Sequence, residues 1–479
     1  MNVQQIVNSS VSLTAVPKSQ ANFSVPLLLV DHSDIPIDKR YRTVSKTSYA
    51  TDLTASTNQA NWCAALWGQN YNVASAYIGR WVSSASSPYI YFPSYVQTIA
   101  SYTAISDFYL KFDDGSNQDE IGPIDCTSGV TTMADVASKI DTALGNLVTP
   151  NITGLESATC ALDAYSRPKI THASVTGSGA VTISTTAAST GTDLRGALYW
   201  GSGTVQAGLD AEALDTALGL VLALDNTPFV ICQRGGSIAE VVAFSTGVNA
   251  RDKILLLVSN DTDTKDSSAT TDFAYQIEAL SHQKTHITYT EHTTQHPDAA
   301  ICGEVIPRPP GSASFALNAL TGLSQSGLHG DGSTVIPLTD DERTALEAKG
   351  ADYLIKPSNI THLRHGLAVG GNEMRVRIGM AYMAAKVAEG YYAYMLAQDV
   401  VTYSDEDIQA MANIVKYYAE ILVDRKLFQK DAYTITMPSA ADFTAAVKAT
   451  HTMTLSNILD APILSSVNDV VATMAFTIN

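Results

Sequence analysis

The sequence predicts a discontinuous α/β (α+β) protein, in which an α/β core is split by an inserted, β-rich α+β domain and ends in an extended strand on either side. Three observations predict it. From Ala211 onward, helical and strand patterns alternate: ALDTALGLVLAL, SIAEVVAFSTGVN and DFAYQIEALSHQ read as helices beside the apolar runs FVICQRG, KILLLVS and HITYTEH. Such alternation is the signature of a sheet covered by helices. Between Pro88 and Asp210 the composition turns rich in Ser, Thr, Gly and Ala, and the earlier style then resumes. At both ends the side chains alternate with period two. Val7, Ser9, Val11, Leu13 and Ala15 oppose Asn8, Ser10, Ser12 and Thr14, while Val470, Ala472, Met474, Phe476 and Ile478 oppose Val471, Thr473, Ala475, Thr477 and Asn479. That is the pattern of a strand with one buried face.

Taken in order, the apolar run VPLLLV (25–30) is short enough for a strand buried on both faces. A helical stretch over 58–67 leads to a second strand, ASAYIGRWV. In the inserted region FYLKFDDGSNQDEI reads as a hairpin turning at Asp114-Gly115. A helix follows over 133–147, and RPKITHASVTGSGAVTIST suggests two strands joined through Gly177-Ser178-Gly179. Thr339-Asp340-Asp341-Glu342 is a capping box that opens a helix closed by Gly350. Long helices are expected over 373–398 and 404–424, then a strand in AYTITMP, a small-residue helix over 440–455 and the closing VVATMAFTIN.

The chain has 479 residues, 45% apolar and 16% charged, which fits folded cores and excludes a disordered polymer. Its net charge of −18 is spread out, with no basic block. That argues against binding to duplex nucleic acid, which needs clustered Lys and Arg. Cys63, Cys126, Cys160, Cys232 and Cys302 are odd in number and form no CxxC, so reduced, buried thiols are expected. The start MNVQQIVNSS lacks a basic n-region and an apolar h-region, so no secretory signal is expected. The most hydrophobic helix carries Lys386 and Glu389, which argues against membrane insertion.

Catalytic motifs are weak. His282, His286, His292 and His296 are spaced H-x3-H-x5-H-x3-H, and histidines four apart on one helix can grip zinc. Here, however, His282 falls near a helix end and His286 begins a strand, so surface or hinge histidines are the reading preferred over a metal site. QRGGSIAE resembles a phosphate loop only loosely; Gly235 and Gly236 more simply allow a tight strand-to-helix turn. Asp113-Asp114 and Asp340-Asp341 sit in a turn and at a helix start, where Asp is favoured for structural reasons. No nucleophile elbow and no Walker sequence occur. The tyrosines of GYYAYM and KYYAE suit either a core helix or an interface helix. No cofactor and no enzymatic activity are expected.

Several stretches, in order along most of the chain, resemble the tail sheath proteins of contractile phage tails. They are WCAALWGQN with SAYIGRW, TGTDLRGALYW, PDAAICGEVIPRPPGSASFALNALTGL, LTDDERTALEAKGADYLI, and the run from VVTYSDEDIQAM to VVATMAFTIN. The resemblance implies a sheath-like core in two parts, residues 21–88 and 211–463, with an outward-facing domain at 89–210 and terminal arms at 1–20 and 464–479. It also implies a virion subunit, assembled in the host cytoplasm, that stacks as hexameric rings around an inner tail tube. Contraction would drive that tube through the host envelope, with baseplate and tail terminator proteins as further partners and no direct contact with nucleic acid. In such sheaths the arms add strands to neighbouring subunits. Here that role would fall to Val7, Val11 and Leu13 and to Val470, Ala472, Met474, Phe476 and Ile478. Lys448 and His451, on the helix expected over 440–455, would face the tube. Another self-assembling virion protein, a tube or capsid component, is the alternative reading, and an α/β hydrolase-type enzyme a more distant one.

Overall fold

The structure, a computed structural model, describes residues 22–464 apart from 33–34, 36–38, 93–98, 164–165, 173–183, 198–203, 224–227, 252, 331–333, 399, 446, 448–452 and 454–458. Its centre is an eight-stranded sheet built from both parts of the chain. The first part supplies β1 (Leu27–Asp31), β2 (Tyr41–Ser45), helix α1 (Asn58–Trp67) and β3 (Ser75–Trp81). The second supplies α2 (Leu214–Ala223), β4 (Val230–Arg234), α3 (Ile238–Ala250), β5 (Ile254–Ser259), α4 (Phe273–Ala279) and β6 (Thr285–Tyr289). After these come α5 (Pro297–Val305), α6 (Asp340–Ala348), β7 (Ala351–Ile355) and β8 (His362–Leu363). The strand order is β8-β7-β6-β5-β4-β1-β3-β2. The six inner strands run parallel, and β2 and β8 close the two edges antiparallel.

This topology explains why β1 is four apolar residues in a row. Strand side chains alternate between faces, and both faces of this sheet are covered. Leu28 and Val30 enter a core with Trp62, Cys63 and Leu66 of α1 and with Ala299, Ile301 and Cys302 of α5. Leu27 and Leu29 enter the opposite core with Leu218 of α2, Phe244 of α3 and Ile277 of α4. Helices α1 and α5 touch almost backbone to backbone, because a Cβ on Gly303 would lie 2.0 Å from the Leu66 carbonyl oxygen. Gly303→Ala must therefore push the helices apart. The expected loss is about 1–3 kcal/mol, the usual range for overpacking, read as a lower urea midpoint; an unchanged midpoint would show that the contact yields freely.

Between β3 and α2 the chain builds a second core. One four-stranded sheet orders segments 204–206, 89–91, 168–171 and 159–162, and a second joins 192–193 and 184–186 to the hairpin 108–113/118–124. Phe108, Leu110 and Phe112 pack there on Val136, Ile140 and Leu144 of the helix Met133–Gly145. The hairpin turn forms as expected, with Gly115 at φ +86° and the Asp113 carboxylate accepting from the Gly115 amide at 2.7 Å. The strands at 168–171 and 184–186 both form and belong to different sheets, and the connection through Gly177-Ser178-Gly179 lies outside the described residues. Glu212 ties this unit to the core: its carboxylate accepts from Arg40 at 2.7 Å and from the Val82 amide at 3.1 Å, and its carbonyl from the Trp81 indole at 2.7 Å.

The C-terminal part is a helical hairpin, α7 (Met374–Ala397) and α8 (Asp405–Asp424), backed by a two-stranded sheet of β9 (Thr434–Ile435) and β10 (Leu459–Asp460). Helix α7 serves two cores. Met374 and Ile378 face the large sheet, whereas Val376, Met383, Val387 and Tyr391 face α8. Two expectations are modified here. AYTITMP supplies a strand, paired over Thr434–Ile435 among the described residues, and the helix expected over 440–455 does not start at Ala440, although Ala445 and Val447 are helical. A 3₁₀ turn at Ala440–Asp442, boxed by Ser439, ends at Phe443, whose φ of −89° and ψ of 110° are extended. The physical reason is packing, since the Phe443 ring lies 5.2 Å from Tyr403, a contact made with the backbone outside the helical region. DFAYQIEALSHQ is also shorter than expected, because α4 ends at Ala279.

Candidate assembly surfaces

The four histidines do not meet at one centre. His282, beyond the end of α4, places Nδ1 2.7 Å from Ser245 Oγ on α3. His286, on β6, has Nδ1 2.7 Å from the Leu367 carbonyl oxygen and Nε2 3.0 Å from Thr288 Oγ1. His292 is buried in the loop after β6. His296 caps α5 beside Asp298 and Arg234, where burial above all pushes its pKa down to about 4. Among the described residues no three His, Cys, Asp or Glu side chains form a group suited to a metal ion. Nor is any helix among them long and apolar enough to cross a membrane.

A cleft of about 330 Å³ opens beyond the ends of β4 and β5 and is lined by Gln233, Arg234, Asn260, Asp261 and Thr293. Gly235 and Gly236 make the turn into α3 at φ +86° and +93°. The start of α3 is already served by its own carboxylate, because Glu240 accepts from the Ser237 amide at 2.8 Å and the Ser237 hydroxyl at 2.7 Å. An anion arriving there would meet that negative charge. Arg234 turns instead to Asp298, 2.6 Å away. Asp113-Asp114 and Asp340-Asp341 remain apart, in the hairpin turn and the first turn of α6.

Sheet β9–β10 has only two strands among the described residues, and an isolated pair of strands is marginal on its own. In general the edge of such a sheet is a place where another strand can pair. The expected arm residues Val7, Val11 and Leu13, and Val470, Ala472, Met474, Phe476 and Ile478, lie outside the described residues, as do Lys448 and His451. What the structure does describe is where the chain enters and leaves. At the N-terminal side, Asn22 bridges to Pro228 and accepts from the Phe229 amide at 3.0 Å. The Phe23 ring packs on Phe229 at 4.5 Å and edge-on to Tyr382 of α7 at 5.7 Å. At the C-terminal side, the Leu464 amide donates to the Leu427 carbonyl at 2.9 Å, and the Leu464 carbonyl accepts from Arg375 of α7.

Sequence reasoning missed the α7 stripe that does this holding. Arg375, Gly379 and Tyr382 follow an i, i+4, i+7 spacing and so share one helix face. Arg375 also donates to the Lys426 carbonyl at 3.0 Å and places Nε 3.4 Å from Glu373. Gly379 admits Leu427, whose Cδ2 would sit 2.4 Å from an added Cβ. Tyr382 carries the Arg425 guanidinium 4.5 Å above its ring. The spacing is visible in the sequence, but its partners are carbonyls 51 and 89 residues away, which no local pattern announces. The tyrosines divide in role: Tyr391 is core, the Tyr394 hydroxyl donates to Asp407 at 2.7 Å, and Tyr417 is exposed. Leu396 and Val400 stand 70% and 72% exposed at the tip between α7 and α8, an apolar pair facing outward.

No family model matches the chain, and no curated protein matches its sequence. Among solved structures it is similar to the helical sheath of the anti-feeding prophage in its contracted state. There the TM-score is 0.49 and the identity 10%, over 99% of each chain. It is also similar to the sheath tail protein Lin1278 from Listeria innocua, with a TM-score of 0.46 and 10% identity over 88% of this chain and 90% of that one. A third likeness is to the sheath tail protein DSY3957 from Desulfitobacterium hafniense, at 0.43 and 10% over 88% and 93%.

Proposed function

We propose that the chain is the structural subunit of a contractile phage tail sheath, polymerising as stacked six-membered rings around an inner tube. Shortening of that lattice drives the tube through the host envelope. The observation that carries the reading is the position of the two chain exits: Phe23 and Leu464 both contact helix α7, in a part of the molecule whose sheet has two strands among the described residues. Residues 1–21 and 465–479 then continue from a place where period-two segments can add to the sheets of neighbours, the mode of recognition known as strand addition. The sequence pieces that resemble sheath proteins support it from another side. WCAALW is α1 and PDAAICGEV is α5, packed together with the Trp62 indole donating to Asp298 at 2.9 Å, and Gln69 and Thr321 exchange hydrogen bonds of 3.0 and 2.8 Å.

In this reading no cofactor drives the movement. The free energy comes from two packings of the same subunits, and a difference of about a few kcal/mol per subunit adds up along a tail. The extended lattice persists because the barrier to rearrangement is high. Inner tube, baseplate and tail terminator proteins are the partners it calls for, with the domain between β3 and α2 facing outward.

The test is assembly. Purified protein is expected to form hollow, striated cylinders in negative stain, and deletion of residues 470–479 to leave a folded monomer that no longer assembles. Monomers alone at all salt and protein concentrations would count against the sheath reading. Ordered tubes from the truncated chain would remove the role of the arm.

A further inference from the structure

The chain's two exits invite a mechanical question: along which path does a pull between them travel? Arg375 and Tyr382 are seven residues apart, which on an α-helix is about 10 Å of rise and a return to within about 20° of the same face. We infer that Arg375 of α7 is a mechanical clamp that holds the chain at its C-terminal exit against a pull. The inference rests on the assembly reading for its purpose, though its test does not require assembly.

The chemistry at Arg375 supports a clamp over simple packing. A side chain that is 6% exposed in an otherwise apolar helix face serves packing best as Met or Leu. Here the buried guanidinium instead donates to two main-chain oxygens, those of Lys426 and Leu464, with Glu373 as its counter-charge. Leu464 is the last described residue before 465–479. From there backward the segment is zipped to 427–435: Leu464 to Leu427, Ile463 to Phe428, the Gln429 amide to the Pro462 carbonyl at 3.0 Å, and β10 to β9. A pull applied beyond residue 464 reaches the Leu464 contacts first, so the strongest hydrogen bonds stand at the point of greatest strain. At the other exit, Phe23 leans on Tyr382 of the same helix face. At that side the Asn22 carbonyl also holds the Phe229 amide just before β4, and the chain runs on into β1, so a pull there is shared with the sheet, whereas at the C-terminal side the Arg375 contacts are, among the described residues, the first to be loaded.

The test is single-molecule pulling on the full chain. With handles at Met1 and Asn479, the first event in the wild type is expected to be release of the 459–464 segment, with the α/β core still folded. Arg375→Met should shorten its lifetime at constant force by roughly ten- to a hundredfold, the effect of losing a charge-assisted pair of hydrogen bonds. Arg375→Lys, which keeps the charge but not the fork, should recover part of that lifetime. With handles at Met1 and a Ser268→Cys position, an exposed site in the core, Arg375→Met should change little. Equal weakening in both geometries would reduce Arg375 to ordinary stabilisation and overturn the clamp, as would a core that opens first in the wild type. A wild type that never polymerises would instead overturn the sheath reading while leaving this result readable.

Discussion

Replacing Asp298 with alanine is expected to be among the most damaging single changes in the core, with a loss of about 3–5 kcal/mol, typical of a buried pair stripped of one partner. Asp298 is 1% exposed and sits where β4, α1 and α5 meet. Its carboxylate accepts from the Arg234 guanidinium at 2.6 Å and from the Trp62 indole at 2.9 Å. Without it the Arg234 charge is left in a site of low polarity and the indole N–H loses its acceptor, and each loss is costly where water cannot substitute. Asp298→Asn keeps an acceptor for Trp62 but not the charge, and should fall between. The double variant Asp298→Leu with Arg234→Met removes both charges and should regain much of the lost stability. Urea unfolding of the four proteins reads the effect. A single variant within about 1 kcal/mol of wild type would show that the pair contributes no more than a surface salt bridge.

Acid is expected to weaken the same core, in two stages. Burial, opposed in part by the nearby Asp298 charge and reinforced by Arg234, holds His296 at about pKa 4, against about 6.5 for an unfolded histidine. Between those values the unfolded chain takes up a proton that the native state refuses, so stability falls as the pH drops from 6.5 toward 4. At about 1.4 kcal/mol per pH unit, the loss reaches roughly 3 kcal/mol by pH 4. Burial also lowers His282 and His286, which act in the same direction. The second stage belongs to Asp298. Burial alone would raise its pKa, but Arg234, His296 and Trp62 together outweigh burial and hold it below the usual carboxylate value. Its contribution is full above the unfolded value near 4 and is lost as the pH falls through its lower native value. Thermal midpoints measured from pH 7 to 4 should therefore decline, and His296→Phe, which keeps a ring without a titrating group, should flatten part of the slope. A wild type equally stable across that range, or a variant with the full slope, contradicts this account.

Much of the fold could be read locally. Helix α1 spans Asn58–Trp67 as its residues suggest, and α7 and α8 lie within a residue of each expected end, with the Ser404 side chain capping the start of α8. The Thr339–Glu342 capping box forms, and Gly350 follows α6 at φ +65°. These are properties of neighbouring residues, set by dihedral preference and by the first unpaired amides of a helix. The same holds for β1 and β5, whose apolar runs mark strands covered on both faces, and for the apolar start of β4.

What the sequence alone determined, then, is most helices and strands of the core and their order, the interruption of one α/β core by a second unit, and the period-two character of the two ends. Only the tertiary structure decided the partners. It placed the strands at 168–171 and 184–186 in separate sheets, drew Phe443 out of a helix toward Tyr403, and gathered Asp298, Arg234 and Trp62 from three distant segments. It also turned Arg375, which in sequence is one more charge on a helix, toward two distant carbonyls. The physical reason is range. Local conformation answers to side chains a few residues away, whereas a buried charge answers to whatever donor or acceptor the completed packing brings within about 3 Å.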